Sequence, residues 1–439
     1  MEISIAEFPR EDPSFDNAET TLQNFYDAFG TSGCLLTCDL KRQYQEYVTT
    51  VLPQPGIQNS VRRQKKKETD RTYRELNRNF TLAELLSSIR SGCGSCEVLK
   101  ELLERVSLID PDDYRLEANT TLNVSPAFVL ERQTLKNDTL EVQQIHLFSP
   151  LGCTTQFRNM PRVSFLRGNT ASSTSINRAS MWLKNCVDTH LICRPNITSE
   201  LPSRIIDVTE IKKGDEKGVR LVKTSFGEAG KYACLSHCWG KALIQCCTTR
   251  ATLHQATEFI GFNSMPQNFR DAVEITRKLQ LQYLWIDSIC ILQGDRQDWE
   301  VESGKMAAVY KNSYITIAAA ASADSTGGCF TRTKPDICLR ISWNHSEPFV
   351  VGARMCDTKG FLRDEKSIKE RQPLLQRGWV YQERLLSPRT LYCNYGELAF
   401  RCLESSTCEC GKASIAPHGS AASIGTGRYV IPGFQVARS

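Results

Sequence analysis

The sequence predicts an α/β chain: a mostly parallel central sheet flanked by helices, preceded by a mainly helical N-terminal region. Three observations carry this. After Pro202, short apolar runs alternate with helical segments, an order that calls for crossover connections and parallel pairing. Between Thr81 and Val106, leucines recur at helical spacing. And 41% of the 439 residues are apolar, with 23% charged and 8% aromatic, enough to bury a core and to exclude disordered and fibrous classes.

Taken in order, segment 1–80 is weakly patterned and ends in the basic run Arg62-Arg63-Gln64-Lys65-Lys66-Lys67. That run reads as a solvated linker, or else as a nuclear-localisation or anion-binding patch. Segment 81–200 forms the helical region. Its first helix carries Leu82, Leu85, Leu86 and Ile89, and its second runs from Cys96 through Leu99, Leu102, Leu103 and Val106. Residues 107–170 read as strand and loop, with β-rich stretches at 127–130 and 145–148. A Ser/Thr-rich connection, Asn169 to Ser175, leads to a helix marked by Ile176, Met181, Trp182 and Val187.

Segment 201–410 is the α/β domain. Strands are expected at 204–208, 219–222, 232–236, 283–287 and 315–319, with helices at 267–279 and 299–311 between the last three. In such sheets ligands sit at the carboxyl ends of strands, where Ser236 and Asp287 fall. Segment 411–439 is Gly/Ser/Ala-rich and reads as a flexible tail.

The charge balance, 54 Lys+Arg against 49 Asp+Glu, gives no sign of a nucleic-acid partner. The apolar run Ile315 to Ala321 is far too short to cross a bilayer, so no membrane span is expected. The N-terminal stretch MEISIAEFPREDPSF lacks the apolar core of a secretory signal. Nineteen cysteines, an odd count in a long chain without that signal, fit reduced thiols of the cytosol or nucleus. Cys93-Gly-Ser-Cys96 has the spacing of a zinc knuckle, and Cys186, His190 and Cys193 fall on one helical face. Four ligands from these five residues could close a tetrahedral structural zinc site; the competing reading is buried thiols packing two helices. Cys402, Cys408 and Cys410 form a second cluster. No Gly-rich phosphate loop and no HExxH occur, which demotes kinase, ATPase, Rossmann dehydrogenase and zincin readings.

Four segments stand out together: Tyr232-Ala-Cys-Leu-Ser-His-Cys-Trp-Gly240, Met265-Pro-Gln-Asn-Phe-Arg-Asp-Ala-Val273, Tyr283-Leu-Trp-Ile-Asp-Ser-Ile-Cys-Ile-Leu-Gln293 and Arg377-Gly-Trp-Val-Tyr-Gln-Glu-Arg-Leu-Leu-Ser-Pro-Arg389. Their connecting pieces are Asp298-Trp299, Glu302 and Met306-Ala-Ala-Val-Tyr310. In this order they resemble the fungal heterokaryon-incompatibility (HET) domain over about residues 230–393. The resemblance implies a protein of filamentous fungi. It implies an effector of non-self recognition that ends in growth arrest and programmed cell death. It also implies a distant relation to TIR domains, whose fold is flavodoxin-like and some of which cleave NAD at the nicotinamide–ribose bond.

Cleaving that bond passes through an oxocarbenium-like transition state, which carboxylates stabilise. The catalytic candidates are therefore Asp287, Glu302 and Glu383, each with a structural alternative: a turn cap, a solvated helix residue, an arginine partner. Ser236, His237, Trp239, Gly240, Arg377 and Trp379 are candidates for holding NAD as substrate, by aromatic contact and by forked pyrophosphate pairing; Arg384 and Arg389 are further arginine candidates. Trp285, inside a strand, reads as core. Tyr and His both occur in the family at the position of His237, which makes it a poor essential base. No cofactor is required by the sequence beyond the open zinc reading. The competing function is a non-catalytic death-signalling module acting by self-association or protein-partner binding.

Overall fold

The computed structural model describes residues 2–5, 78–105, 120–124, 129–136, 139–153, 161–193, 199–240, 246–342, 348–356 and 372–411. The basic run 62–67 and residues 412–439 of the expected tail lie outside them. The chain divides into two compact units, Met1–Phe165 with Lys334–Phe361, and Leu166–Thr333 with Leu362–Ser439.

The first unit is built on an eight-stranded sheet. Its strands Glu2–Ile5, Ile337–Ser342, Phe349–Cys356, Thr139–Pro150, Val129–Lys136, Thr120–Val124 and Arg78–Thr81 pair antiparallel in that spatial order. The short strand Arg162–Val163 lies parallel to the end of Thr139–Pro150. Helices Leu82–Arg90 and Gly94–Arg105 bury Leu85, Cys96, Leu99, Leu102 and Leu103, as the leucine spacing predicts. The expectation of a mainly helical 81–200 region is not supported: its described residues hold strands as well as helices. Between its helices, Thr120–Val124, Val129–Lys136 and Thr139–Pro150 pair antiparallel.

The second unit holds a nine-stranded sheet in the order Ile260–Gly261, Glu216–Lys223, Arg204–Lys213, Tyr283–Trp285, Tyr232–Ser236, Ile315–Ala318, Arg389–Cys393, Leu398–Cys402, Ser406–Cys408. Four central strands are parallel, those beginning at Tyr283, Tyr232, Ile315 and Arg389. The outer strands are antiparallel. The sheet is thus mixed, not mostly parallel. The reason lies in the connections. The central strands are joined by segments long enough for helices, whereas most outer strands follow their neighbours through short links. Arg204–Lys213 and Glu216–Lys223 are separated by Gly214 and Asp215 alone, and Gly214 takes the left-handed φ of 61° that a tight hairpin requires.

Tyr232–Ser236 is the switch point. The chain leaves it through helix Gln267–Lys278 to pair Tyr283–Trp285 on one side. It then passes through helix Arg296–Asn312 to pair Ile315–Ala318 on the other. Right-handed crossovers in opposite directions put the two helices on opposite faces, and the side chains agree. Tyr232 donates its hydroxyl to Val309 O (2.7 Å) and Cys234 lies under the same carbonyl. His237, an odd three residues beyond Cys234, meets Phe269 of the other helix edge to face at 5.1 Å. The core between is closed by Leu235, Ile275, Leu284, Ile289 and Ile317, all almost fully buried. Helix Ser173–Thr189 is capped by Ser172, which accepts from Ser175 N, and it buries Ile176, Ala179, Leu183 and Cys186. Its Met181, expected on the apolar face, is 62% exposed.

Candidate functional site

The carboxyl end of Tyr232–Ser236 gathers most of the expected residues. Ser236 faces the side of helices Arg296–Asn312 and Gly378–Leu386, and its hydroxyl donates to Glu383 Oε2. The Tyr310 hydroxyl also hydrogen-bonds Glu383. Burial pushes the Glu383 carboxyl up to about 6; the Ser236 hydrogen bond opposes this, and the Asp287 charge adds to it. Glu383 and Asp287 therefore sense each other.

Asp287 opens the short helix Asp287–Cys290 directly after its strand. Its Oδ1 accepts Ser288 N (2.7 Å) and its Oδ2 accepts Trp239 Nε1 (2.8 Å). That bond fixes the indole over the strand ends. Arg377 donates to His237 O, bringing its guanidinium to the same edge. His237 is 3% exposed, and its Nε2 has no hydrogen-bond partner among the described residues. Burial pushes its pKa down, with the Asp287 charge opposing, so the ring is neutral near pH 7. Burial raises the neighbouring Cys238 thiol, which disfavours a thiolate nucleophile there.

Gly240 has φ of 81°, and a Cβ there would come 2.5 Å from Asp324 Cβ. The turn it makes is clamped by the loop after Ile315–Ala318: Ser325 Oγ donates to Cys238 O (3.3 Å). The Met265–Val273 motif holds that loop in turn. Asn268 Nδ2 donates to Asp324 O (3.1 Å), and Asp271 Oδ2 accepts Cys329 N (2.7 Å). Asn268 and Asp271 thus shape the rim; sequence reasoning gave them no role, although the motif itself was the signal.

Other candidates lie elsewhere. Glu302 is buried but paired with Lys305 (2.9 Å), which also reaches Ser203 Oγ (2.9 Å). Lys305 lines a cavity of about 400 Å³ with Pro202, Phe226, Tyr232 and Val309, toward the opposite end of the Tyr232 strand. Trp285 is core, stacked edge to face on Tyr310, as expected. Trp299 is 57% exposed. The backbone of Trp379 lies in helix Gly378–Leu386, and its side chain is outside the described residues. Arg384 contacts Tyr392. Arg389 is fully buried and bonds Tyr314 O and Cys193 O, so it is no surface anion holder.

The cysteines regroup. Cys93 and Cys96 belong to the first unit, where Cys96 Sγ donates to Ser88 Oγ (3.2 Å). Cys186, His190 and Cys193 meet Cys402 instead, with donor atoms within 4.8 Å of one another. The helix ends at Thr189, and His190 is already extended (φ −86°, ψ 117°). A turn, not a shared helical face, brings Cys193 back. Cys408 and Cys410 group with Glu397.

The second unit is thus an α/β domain with a switch point at the carboxyl ends of its parallel strands, where two carboxylates interact. Residues 232–383 match the family model described as heterokaryon incompatibility protein (HET). The match falls on the segment that the four motifs single out, and Lys334–Phe361 within it count with the first unit. No curated protein and no solved structure matches the chain. No helix among the described residues is long and apolar enough to cross a membrane.

Proposed function

We propose that this is a fungal heterokaryon-incompatibility-type protein of the cytoplasm or nucleus, an effector of non-self recognition and cell death. We propose further that it acts by cleaving the nicotinamide–ribose bond of NAD at the switch point, in segment 201–410, in the manner of a distant TIR-like fold. One observation carries this reading: Glu383 is a carboxyl kept costly by burial, pushed to about 6, and aimed at Ser236 on the strand end beside a second carboxylate. Groups perturbed in this way concentrate at functional sites. In this reading the Glu383 carboxylate offsets positive charge on the ribose. Trp239, positioned by Asp287, offers a face to the departing nicotinamide, and Arg377 reaches the pyrophosphate. The buried, partnerless His237 Nε2 is a polar atom that a ligand could satisfy.

A second reading has its own observation. Every candidate carboxylate already has a partner: Asp287 has Trp239 and Ser288, Glu302 has Lys305, and Glu383 has Ser236. That suits a scaffold presenting an interface for self-association or a protein partner.

Nicotinamide release from NAD by purified full chain separates the two. The expected result is turnover by wild type, loss of about 100-fold or more in Glu383→Gln, and retention in Glu302→Gln. Absence of turnover even at concentrations that drive association refutes the catalytic reading and leaves the interface.

A further inference from the structure

The geometry points to a structural zinc site made by Cys186, His190, Cys193 and Cys402. Zinc in structural sites takes four N/S donors at tetrahedral corners. With Zn–S about 2.3 Å and Zn–N about 2.0–2.1 Å, donor atoms sit about 3.6–3.8 Å apart. The four donors here lie within 4.8 Å of one another, and His190 Nδ1 is 3.2 Å from Cys402 Sγ. A small adjustment of side chains around one centre satisfies the geometry.

The surroundings are those of a metal site. Cys186 and Cys193 are fully buried and Cys402 is 4% exposed, while Leu191 and Ile192 between the two knuckle donors project into solvent at 70% and 63%. Apolar side chains displaced outward in this way leave the loop little packing of its own. On the other strand, the turn after Cys402 aims backbone at sulfur: Ser405 N donates to Cys402 Sγ (3.2 Å), and Ser405 Oγ lies 3.4 Å from it. Amide donors to a ligating sulfur orient it and spread its charge.

Charge gives an independent argument. Arg389 is completely buried, lies beside Cys186, and among the described residues pairs with no carboxylate; its guanidinium bonds the carbonyls of Cys193 and Tyr314, stacks over the Tyr314 ring and reaches Cys186. A buried cation without a carboxylate partner is expensive. Zinc with three thiolates and a neutral imidazole carries one net negative charge, and Arg389 then balances it.

The donors also bracket the domain. Three precede the segment 232–383 and one follows it, so the metal would tie helix Ser173–Thr189 to strand Leu398–Cys402 and close the ends of the sheet's outer layer.

The test is zinc content of reduced full chain by elemental mass spectrometry. About one zinc per chain is expected, falling at least tenfold in Cys402→Ser and unchanged in the double variant Cys93→Ser/Cys96→Ser. Because Cys402→Ser can fail to fold, His190→Cys provides a second arm. It should keep the metal, and after cobalt substitution its tetrahedral bands should move toward those of an all-sulfur site. Loss of metal in Cys93→Ser/Cys96→Ser, metal held through Cys408 and Cys410, or a metal-free wild type that gives no thiolate-to-cobalt charge transfer would each overturn the proposal. So would Cys186, Cys193 and Cys402 being found in disulfides in freshly prepared protein.

Discussion

Replacing Glu383 with glutamine should make the protein more stable and less active, a combination that only a functional carboxylate explains. Burial lifts the Glu383 carboxyl from 4.5 to about 6. The folded state therefore holds this proton more tightly than the unfolded chain does. Between about pH 4.5 and 6 folding takes up a proton, so stability falls as pH rises through that window. Above about pH 7 the full cost is present, at about 2 kcal/mol. Glutamine has the same shape and no charge. Its carbonyl still accepts from Ser236 and Tyr310, while its amide hydrogens need acceptors of their own, which takes back part of the gain. The net expectation at pH 7.5 is about 1 kcal/mol of stabilisation, or a rise in Tm of about 2–4 °C for a domain of this size. Thermal melts followed by near-UV circular dichroism between pH 5 and 8 read this directly. The gap between variant and wild type should close toward pH 5, where the wild-type carboxyl is protonated. A Tm several degrees lower for the glutamine variant at pH 7.5, with no closing of the gap in acid, would refute the reasoning: Glu383 would then be a structural acceptor whose charge the fold uses.

Two stability predictions rest on other elements. Gly240→Ala forces a side chain onto a backbone with φ of 81° and into Asp324 Cβ at 2.5 Å; it should cost about 1–3 kcal/mol in urea unfolding, and a cost under about 0.5 kcal/mol would mean that the turn is free to move. In the first unit, Arg354 is held by both oxygens of Asp336 (2.8 and 2.6 Å) and by Ser164 O (2.9 Å), stacked over Phe148. Asp336→Ala leaves that cation buried without its carboxylate and should cost about 3–5 kcal/mol, whereas a change below about 1 kcal/mol would show that the pair is effectively solvent-screened.

The central strands were legible because each is a short apolar run between helices of clear period. Tyr232–Ser236 has the expected bounds, and Tyr283–Trp285 and Ile315–Ala318 end one or two residues early. At Trp285 the strand stops because Asp287 starts a helix with its own carboxylate on Ser288 N. What periodicity could not convey was strand direction at the sheet's edges. That depends on whether a link is two residues or forty, and the two-residue link at Gly214-Asp215 sat between runs that read equally well as parallel strands. The eight-stranded sheet of the first unit was harder still. Its strands come from three stretches far apart in sequence, and Ile337–Ser342 and Phe349–Cys356 pair with partners about 200 to 340 residues earlier.

At the site, chemistry-bearing residues were visible one at a time but their grouping was not. Cys402 was read with Cys408 and Cys410 because they are near in sequence. A β-strand alternates its side chains, and Cys402 at the end of its strand points to helix Ser173–Thr189 while Cys408 pairs across to Ala399. The motifs divide in the same way. Asn268, Asp271 and Asp298 each hold a backbone group, the Asp324 carbonyl, the Cys329 amide and the Leu292 amide, and the two acids also bind the side chains of Gln267 and Arg204. Each removes an unpaired buried group, so losing any of them should destabilise. Glu383, bonded by Ser236, instead carries a charge that burial and the nearby Asp287 make unfavourable. Motif residues of the first kind explain how the strand ends are held; at Glu383 burial works against the charge, so the fold gains nothing from its being ionised. The sign of the stability change on neutralising each acid, negative at Asp271 and positive at Glu383, therefore separates scaffold from site within one family signature.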